Sequence, residues 1–440
     1  MKRRLWRGAL AAALAMLVAA TAASAAPLSA TDRTAALAAI ENAIRKTYVF
    51  PQRTPAILAA LDRGTQSGRY DTADANAFAQ RVTEDLKAAS QDGHLYLDND
   101  PEHYLAALAP EKSAAGIAAY HRKMAAQDNS GLAAMDILPG NVRYLRIAGF
   151  EWVPRSTAQI YDAALRFLKG GDAVIIDLRD NGGGDGDAAD YLLDAILKPG
   201  TLLYTRHEGA RITQSRTRRN HAGLSLAGKP LFVLVDSHTG SAAEAFAYAV
   251  QQERAGTILG AATYGAANNN RIFPIAPQFV LSVSYARPVS AVTGTNWEGV
   301  GVTPDIAVPA TTARVAAQLA ALDRLAGAPE TTPQARAAYR WIKTGLQVQL
   351  DPVTLSPERL SALTGSYGSV TISLMQGELR LSRADRPKWP TDIPLAPLTS
   401  DGLFEVHAFA FDDLRVRLTG PALELLYGSD DAAETIPRSH

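Results

Sequence analysis

The sequence predicts an α/β core, preceded by a helical region and followed by a small β module. Between about 141 and 310, apolar runs recur ahead of tight turns and helical stretches. Ala173 to Leu178 precedes Gly182-Gly183-Gly184, and Leu231 to Val235 precedes Ser241. From Ala30 to about Ser90 an Ala/Leu helical periodicity holds, whereas 351–440 contains short strands separated by turn signals.

At 440 residues the chain has room for two or three domains, each with a sizeable core. Residues 1–25 read as a signal peptide: Lys2, Arg3, Arg4 and Arg7 precede an apolar run from about Ala9 to Ala20, then Ala23-Ser24-Ala25. The apolar run is too short for a permanent membrane span, so an exported protein, periplasmic or secreted, is expected. Cleavage there leaves 40 basic against 44 acidic residues, a net charge of −4, which argues against a nucleic-acid partner. Cysteine is absent, excluding disulfides, thiol catalysis and thiolate metal sites. No later segment reaches membrane-spanning length. No His/Asp/Glu cluster has ligand spacing along the chain, so neither a metal nor a cofactor is expected. The pattern does not decide the oligomeric state.

Taken in order, 26–95 is a helical subdomain of two or three helices, interrupted at Tyr48-Val49-Phe50-Pro51 and Gly68-Arg69-Tyr70-Asp71. Asp92-Gly93-His94 is a turn leading into a strand at Leu95-Tyr96-Leu97. Residues 96–140 give little periodic signal beyond a helix around Glu111 to Met124 and read as a connecting or lid segment. The core, 141–310, opens with a strand at Val142 to Ile147 and a helix at Thr157 to Lys169. The run Ala173 to Leu178 follows, with its Gly-rich turn and a helix from Ala188 to Leu197. Leu202 to Ser215 reads as a strand or hairpin, with Arg211, Arg216, Arg218 and Arg219 on a solvated loop. After the strand at Leu231 to Val235 come a helix at Ala242 to Gln252 and a strand pair around Arg271 to Ile275 and Phe279 to Tyr285. Residues 311–350 form a helical linker broken at Gly327-Ala328-Pro329. The module 351–440 groups no polar residues in a catalytic way and reads as a structural or protein-contact appendage.

Ser241 stands where strand turns into helix, beside free backbone N–H groups and the positive end of a helix dipole. That position suits a nucleophile whose reaction generates an oxyanion. With Glu244 three residues on, the same serine also fits a helix capping box. Thr239-Gly240-Ser241-Ala242-Ala243 lacks the second glycine of a Gly-x-Ser-x-Gly elbow. Taken alone, His94 on its turn reads as a solvated histidine rather than a catalytic one.

Four stretches act together: Asp177-Leu178-Arg179-Asp180-Asn181-Gly182-Gly183-Gly184, Ser241-Ala242-Ala243-Glu244, Thr263-Tyr264-Gly265 and Gly301-Val302-Thr303-Pro304-Asp305-Ile306. In this order and spacing they resemble the tail-specific, or C-terminal processing, serine proteases, a family that also includes the tricorn core and the retinoid-binding repeats. The resemblance covers Asp92 to Ile306. It implies a ClpP/crotonase-like core of stacked β-β-α units and hydrolysis of polypeptide substrates through an acyl-enzyme. Ser241 would be the nucleophile, and Gly182, Gly183 and the Ala242 N–H the oxyanion hole.

The resemblance also separates two kinds of base. Processing proteases use a lysine after the Thr-x-Gly segment, but that position is Ala266, and no lysine lies between Lys229 and Lys343. A Ser-Lys dyad built from this core is therefore excluded. The tricorn-like pattern matches instead at His94, the general base, and Glu298, which would orient the ring and stabilise its cation. Where that pattern has a serine before the histidine, this chain has Gly93. Only 47 residues separate His94 from Val142, too few for the PDZ module of many processing proteases. His238, three residues before Ser241, would have to fold back awkwardly to serve as base. The retinoid-binding relatives imply an alternative, a weakly catalytic or non-catalytic binder of apolar ligands or peptides on the same fold.

Overall fold

The computed structural model describes residues 27–108, 110–218, 223–407, 413–428 and 432–439. The expected signal peptide at 1–25 and Arg219 lie outside them. The chain opens with α1 (Ala30–Thr47), α2 (Thr54–Gln66) and α3 (Ala75–Ser90). Ser29 starts α1 through a capping box: its Oγ accepts the Asp32 N–H at 3.1 Å, and the Asp32 carboxylate accepts the Ser29 N–H at 3.2 Å. Asp74 caps α3 by accepting the Asn76 N–H at 2.9 Å. Then come β1 (Tyr96–Asn99), α4 (Pro101–Ala107), α5 (Pro110–Gln127), β2 (Leu132–Leu138), β3 (Val142–Ile147), α6 (Ser156–Lys169), β4 (Ala173–Asp177) and α7 (Gly186–Ile196). The core continues with β5 (Leu202–Glu208), β6 (Arg211–Arg216), β7 (Leu231–Val235), α8 (Ala242–Gln252), β8 (Thr257–Gly260), β9 (Asn269–Ile275), β10 (Phe279–Ser290) and β11 (Ile306–Ala307).

The central sheet has the order β11-β8-β7-β4-β3-β2, parallel throughout except for the antiparallel edge strand β2. Every residue of β4 and β7 is buried, which is why their sequences are continuous apolar runs rather than alternating ones. One face packs Ile147, Ile176 and Val233 against Tyr161, Leu165 and Leu192 of α6 and α7 and Phe246 of α8. The other packs Tyr144, Ile175, Phe232 and Leu259 against α9 (Ala313–Ala326) and Leu346 of α10 (Pro333–Leu350). The segment expected as a linker at 311–350 thus covers a face of the core. Its apolar stripe, Ala313, Ala317, Ala321 and Leu322 of α9 with Leu346 of α10, buries against that face.

A second sheet runs β1-β10-β5-β6, with β9 also on β10. Phe78, Val82 and Leu86, one face of α3 at four-residue spacing, pack with α1 and α2 onto Phe279, Leu281 and Val283 of β10. The stretch expected as a connector or lid at 96–140 instead gives a strand to a sheet at each end. Tyr96 to Asn99 pairs with β10, and Leu132 to Leu138 pairs with β3. Of β2 only the end residues Leu132 and Leu138 are buried, so its sequence lacks the alternation that marks a strand.

After α11 (Pro357–Leu363) the chain forms an antiparallel meander, β12 (Gly365–Tyr367), β13 (Val370–Met375), β14 (Glu378–Arg383), β15 (Ile393–Pro397), β16 (Leu403–Val406), β17 (Leu414–Leu418), β18 (Ala422–Tyr427) and β19 (Ala432–Pro437). Alternate residues such as Val370, Ile372, Leu379, Leu381, Val416 and Leu425 fill one core. The Ser439 N–H donates to the Ser366 carbonyl at 2.8 Å, bringing the last strand back onto the first. β15 carries a weak strand signal in its sequence because Pro394 and Pro397 withdraw two ladder donors. Trp341 of α10, buried with Leu398, Leu403 and Leu426 and capped by the Arg415 guanidinium at 3.8 Å, joins this module to the core.

Candidate active site

β4 and β7 are parallel neighbours, so the loops leaving their C-terminal ends lie side by side. The β7 loop carries Asp236 to Ser241, and the β4 loop carries Leu178 to Gly184. Asp236 clamps the two together. Its carboxylate accepts the N–H of His238 at 2.9 Å, of Thr239 at 3.1 Å and of Asp180 at 3.2 Å. Thr239 Oγ1 donates to the Leu178 carbonyl at 2.8 Å, and the Gly240 N–H to the Asn181 carbonyl at 2.9 Å. Within this frame Ser241 holds φ 51° and ψ −118°, a region that L-residues rarely adopt.

The Glu244 carboxylate, fully buried, fixes the far side of the turn. It accepts the N–H of Ser241 at 2.9 Å, of Gly265 at 2.6 Å and of Ala266 at 2.8 Å, and the Thr263 hydroxyl at 2.5 Å. Burial pushes its pKa up, and these donors oppose the shift. Thr263 Oγ1 in turn accepts the Val302 N–H at 2.6 Å. Gly301 is required there: at φ 73° an added Cβ would stand 2.3 Å from the Thr263 carbonyl oxygen. The Thr263-Tyr264-Gly265 and Gly301-Val302 motifs are therefore supports of the Ser241 turn. Asp177 and Arg179 are supports too: the buried Asp177 carboxylate accepts from the half-buried Arg179 guanidinium at 2.5 Å and from the Tyr144 hydroxyl at 2.6 Å.

His94 reaches the site from the turn between α3 and β1. Its Nε2 lies 3.0 Å from Ser241 Oγ, across 147 residues of chain. The ring is buried, 8% exposed, and burial lowers its pKa; Lys87 acts in the same sense and Asp92 against it. Its backbone is held by Asp92, whose buried carboxylate accepts the His94 N–H at 2.9 Å and the Ser284 hydroxyl at 3.0 Å.

Glu298 stands beside this pair without bonding to the ring. Its oxygens accept the N–H groups of Gly93 at 3.0 Å, Ala267 at 2.6 Å and Asn268 at 2.9 Å. His94 Nδ1 has no hydrogen-bond partner among the described residues. Glu298, expected to orient the ring, thus holds through its carboxylate the turn that carries His94. Burial, then the nearby Asp92 charge, push the Glu298 pKa up to about 7. Gly93 has no room for a side chain, since a Cβ would stand 2.9 Å from Ala266 Cβ and 3.0 Å from the Tyr264 ring. A serine there would require Ala266 or the Tyr264 ring to shift.

The expected oxyanion donors divide. The Gly183 N–H donates to Asn181 Oδ1 at 2.9 Å and is not free to meet a substrate. What Gly183 supplies is close approach, since an added Cβ would stand 2.6 Å from the Ser241 Cβ and 2.9 Å from the Ala242 nitrogen. Among the described residues no acceptor takes the N–H of Gly182 or Ala242, and both residues flank Ser241. Asn181, buried, also donates from Nδ2 to the Ile147 carbonyl at 2.9 Å, locking the glycine turn. Asp92, Asn181, Asp236 and Glu244 are the structural members of the site, and to the first three the sequence assigned no role. Only the Ser241-x-x-Glu244 spacing signalled one of them.

A cleft of about 760 Å³ opens on Ser241, His94, Gly182 and Ala266, walled by α3 and β1. His238 lines it too, but its side chain is 74% exposed and its Nδ1 lies 3.2 Å from Asp180 Oδ1. A lysine does enter the cleft, Lys87 of α3; its Nζ donates to the Tyr264 hydroxyl at 2.8 Å. Folding also groups Asp92, His94 and Glu298, and Asp180, Asp236 and His238, each set with ligand atoms within 4.8 Å. These are the residues that could hold a cation, a grouping invisible in chain spacing. Most of their carboxylate oxygens already accept hydrogen bonds from the protein.

Comparison with known proteins bears on the core. The family model described as "Peptidase family S41" matches residues 141–308, a span containing Ser241, Gly182 and Glu298 but not His94. A carboxy-terminal-processing protease of Bartonella bacilliformis is 33% identical over 177 residues, covering 38% of this chain and 39% of the relative. Carboxyl-terminal-processing peptidase 2, chloroplastic, of Arabidopsis thaliana is 28% identical over 39% of this chain and 34% of its own. The chain thus spans well under half the length of these relatives. Among solved structures, the photosystem II D1 C-terminal processing protease aligns at TM-score 0.40 and 18% identity, covering 68% of this chain and 98% of that one. The tricorn protease aligns at TM-score 0.39 and 13% identity, covering 72% and 37%. The core built around β4, β7 and the Ser241 turn, residues 141–308, is a peptidase family S41 domain.

Proposed function

We propose that the protein is an exported serine peptidase that hydrolyses polypeptides through an acyl-enzyme. Ser241 attacks the scissile carbonyl, and His94 Nε2 takes its proton and returns it to the leaving amine. The Gly182 and Ala242 N–H groups receive the oxyanion. Glu298 acts on His94 by holding its turn and by its negative charge when ionised, which favours the imidazolium formed during attack; Asp92 contributes in the same way. The observation that carries the reading is the 3.0 Å contact between His94 Nε2 and a Ser241 held in a strained backbone conformation within an open cleft. The family of the core and its carboxy-terminal-processing relatives agree with it. Export rests on the basic, apolar and small-residue succession of 1–25, and a secreted protein whose N-terminus follows Ala25 is its expected signature.

The test is labelling of purified protein by a fluorophosphonate probe, with hydrolysis of an unstructured polypeptide measured alongside. Labelling should vanish in Ser241→Ala and His94→Ala and fall less in Glu298→Gln. A folded wild type that neither labels nor cleaves, yet binds apolar ligands, would assign the cleft to a binding protein instead.

A further inference from the structure

The wall of the cleft facing Ser241 is one stripe of α3. Asn76, Gln80, Thr83 and Lys87 recur at spacings of four, three and four residues and all line it. Three of these side chains are engaged within the protein. Asn76 Oδ1 accepts from Asn99 at 2.8 Å, Gln80 donates to Glu84 at 3.0 Å, and Thr83 Oγ1 donates to the Leu97 carbonyl at 2.7 Å. Lys87 differs. Its ammonium spends one donor on the Tyr264 hydroxyl at 2.8 Å and lies 5.4 Å from the Tyr264 ring and 5.7 Å from the Tyr96 ring. No carboxylate pairs with it among the described residues; Asp98, the acidic residue of the same wall, is exposed on β1 and makes no ion pair with it.

An ammonium has three donors, so two N–H bonds remain here on a half-buried charge fixed by aromatic faces. An incoming carboxylate would make charge-assisted hydrogen bonds, about twice as strong as neutral ones. We propose that Lys87 is a specificity residue that binds a carboxylate of the substrate, either a chain-terminal carboxylate or an Asp or Glu side chain, while the neighbouring peptide bond lies at Ser241. This inference rests on the peptidase reading and names its substrate class. It also links binding to chemistry. The Lys87 charge works against protonation of His94, and a bound carboxylate offsets that charge, so an acidic substrate meets a more basic histidine.

Three peptides of one sequence test it: one with a free C-terminal carboxylate, one amidated with a glutamate, and one amidated with glutamine in its place. In the wild type, kcat/KM for one carboxylate peptide should exceed that for the neutral peptide by about tenfold, chiefly through KM. Whichever peptide gains identifies the source of the carboxylate. The ratio should fall to near one in Lys87→Met and return in Lys87→Arg, a pattern that mere loosening of the Tyr264 contact would not produce. Affinities of the same peptides for Ser241→Ala and Ser241→Ala/Lys87→Met, followed by fluorescence anisotropy, give the ratio without chemistry. Loss of hydrolysis with the affinity ratio intact would sink the peptidase reading alone. Equal affinities for charged and neutral peptides, or an unchanged ratio in Lys87→Met, would overturn the role of Lys87.

Discussion

Replacing Gly183 by alanine forces a methyl group into the narrowest contact of the site. Its Cβ would lie 2.6 Å from Ser241 Cβ, 2.8 Å from the Gly240 carbonyl oxygen and 2.9 Å from the Ala242 nitrogen, at φ 107°. None of these atoms is the end of a flexible side chain. The strained φ costs about 1–3 kcal/mol, and overpacking adds about 1–3 kcal/mol. Restoring ordinary carbon contact at about 3.5 Å moves Ser241 and Gly183 apart by roughly 0.9 Å. A displacement of that size costs on the order of a hundredfold in reactivity. The control is Gly182→Ala, where an added Cβ meets no heavy atom within 4 Å and φ lies outside the left-handed region. Denaturant midpoints and fluorophosphonate labelling rates should separate the pair: Gly183→Ala loses about 2–6 kcal/mol and at least tenfold in labelling, whereas Gly182→Ala keeps its midpoint within about 1 kcal/mol. Wild-type midpoint and labelling in Gly183→Ala would refute the assignment of Gly183 to close approach at the nucleophile.

Two further outcomes are expected. In Glu244→Gln one carboxylate oxygen becomes an NH₂ group facing two donors, either Thr263 Oγ1 and the Gly265 N–H or the Ser241 and Ala266 N–H groups. Leaving two buried donors unmatched costs about 2–5 kcal/mol, and labelling should fall although Glu244 touches no substrate; an unchanged midpoint contradicts the clamp. The labelling rate should rise with pH as His94 loses its proton, with its half-rise below the ordinary histidine value of about 6.5 because burial lowers it, and should gain a smaller second rise near pH 7 as Glu298 ionises. A half-rise at pH 8 or above would point to another base. The same shifts have opposite signs in stability. His94 binds its proton less tightly when folded, so its contribution is present above its ordinary value and is lost as pH falls through the folded one. Glu298, raised from 4.5 to about 7, contributes stability below pH 4.5 that is lost as pH rises towards 7.

Local chemistry explains which parts of the fold were legible. The strand at Leu231 to Val235 and the helix at Ala242 to Gln252 appear at the residues their periodicity marks, because a fully buried strand and an amphipathic helix carry their burial in their own sequence. β2 and β15 carried no such signature, one being largely exposed and the other interrupted by proline. The resemblance named His94 and Ser241 together, and the structure brings their side chains to 3.0 Å. It also named Glu298 as a partner of the ring and Gly183 as an oxyanion donor. Those roles depend on where one carboxylate and one N–H point, which residue identity does not state.

The sequence by itself determined the α/β class, the strand-turn-helix that presents Ser241, the lack of any lysine between Lys229 and Lys343 and the absence of cysteine chemistry. Each follows from composition or from contacts between residues close in the chain. Tertiary structure alone decided that Glu244 and Asp92 are buried hubs, that Asn181 occupies the Gly183 N–H, and that Lys87 enters the cleft from a helix far from Ser241 in the chain. A buried polar side chain takes its role from the donors and acceptors left unmatched around it, and those come from segments as much as 205 residues away, as in the Gly93 to Glu298 contact.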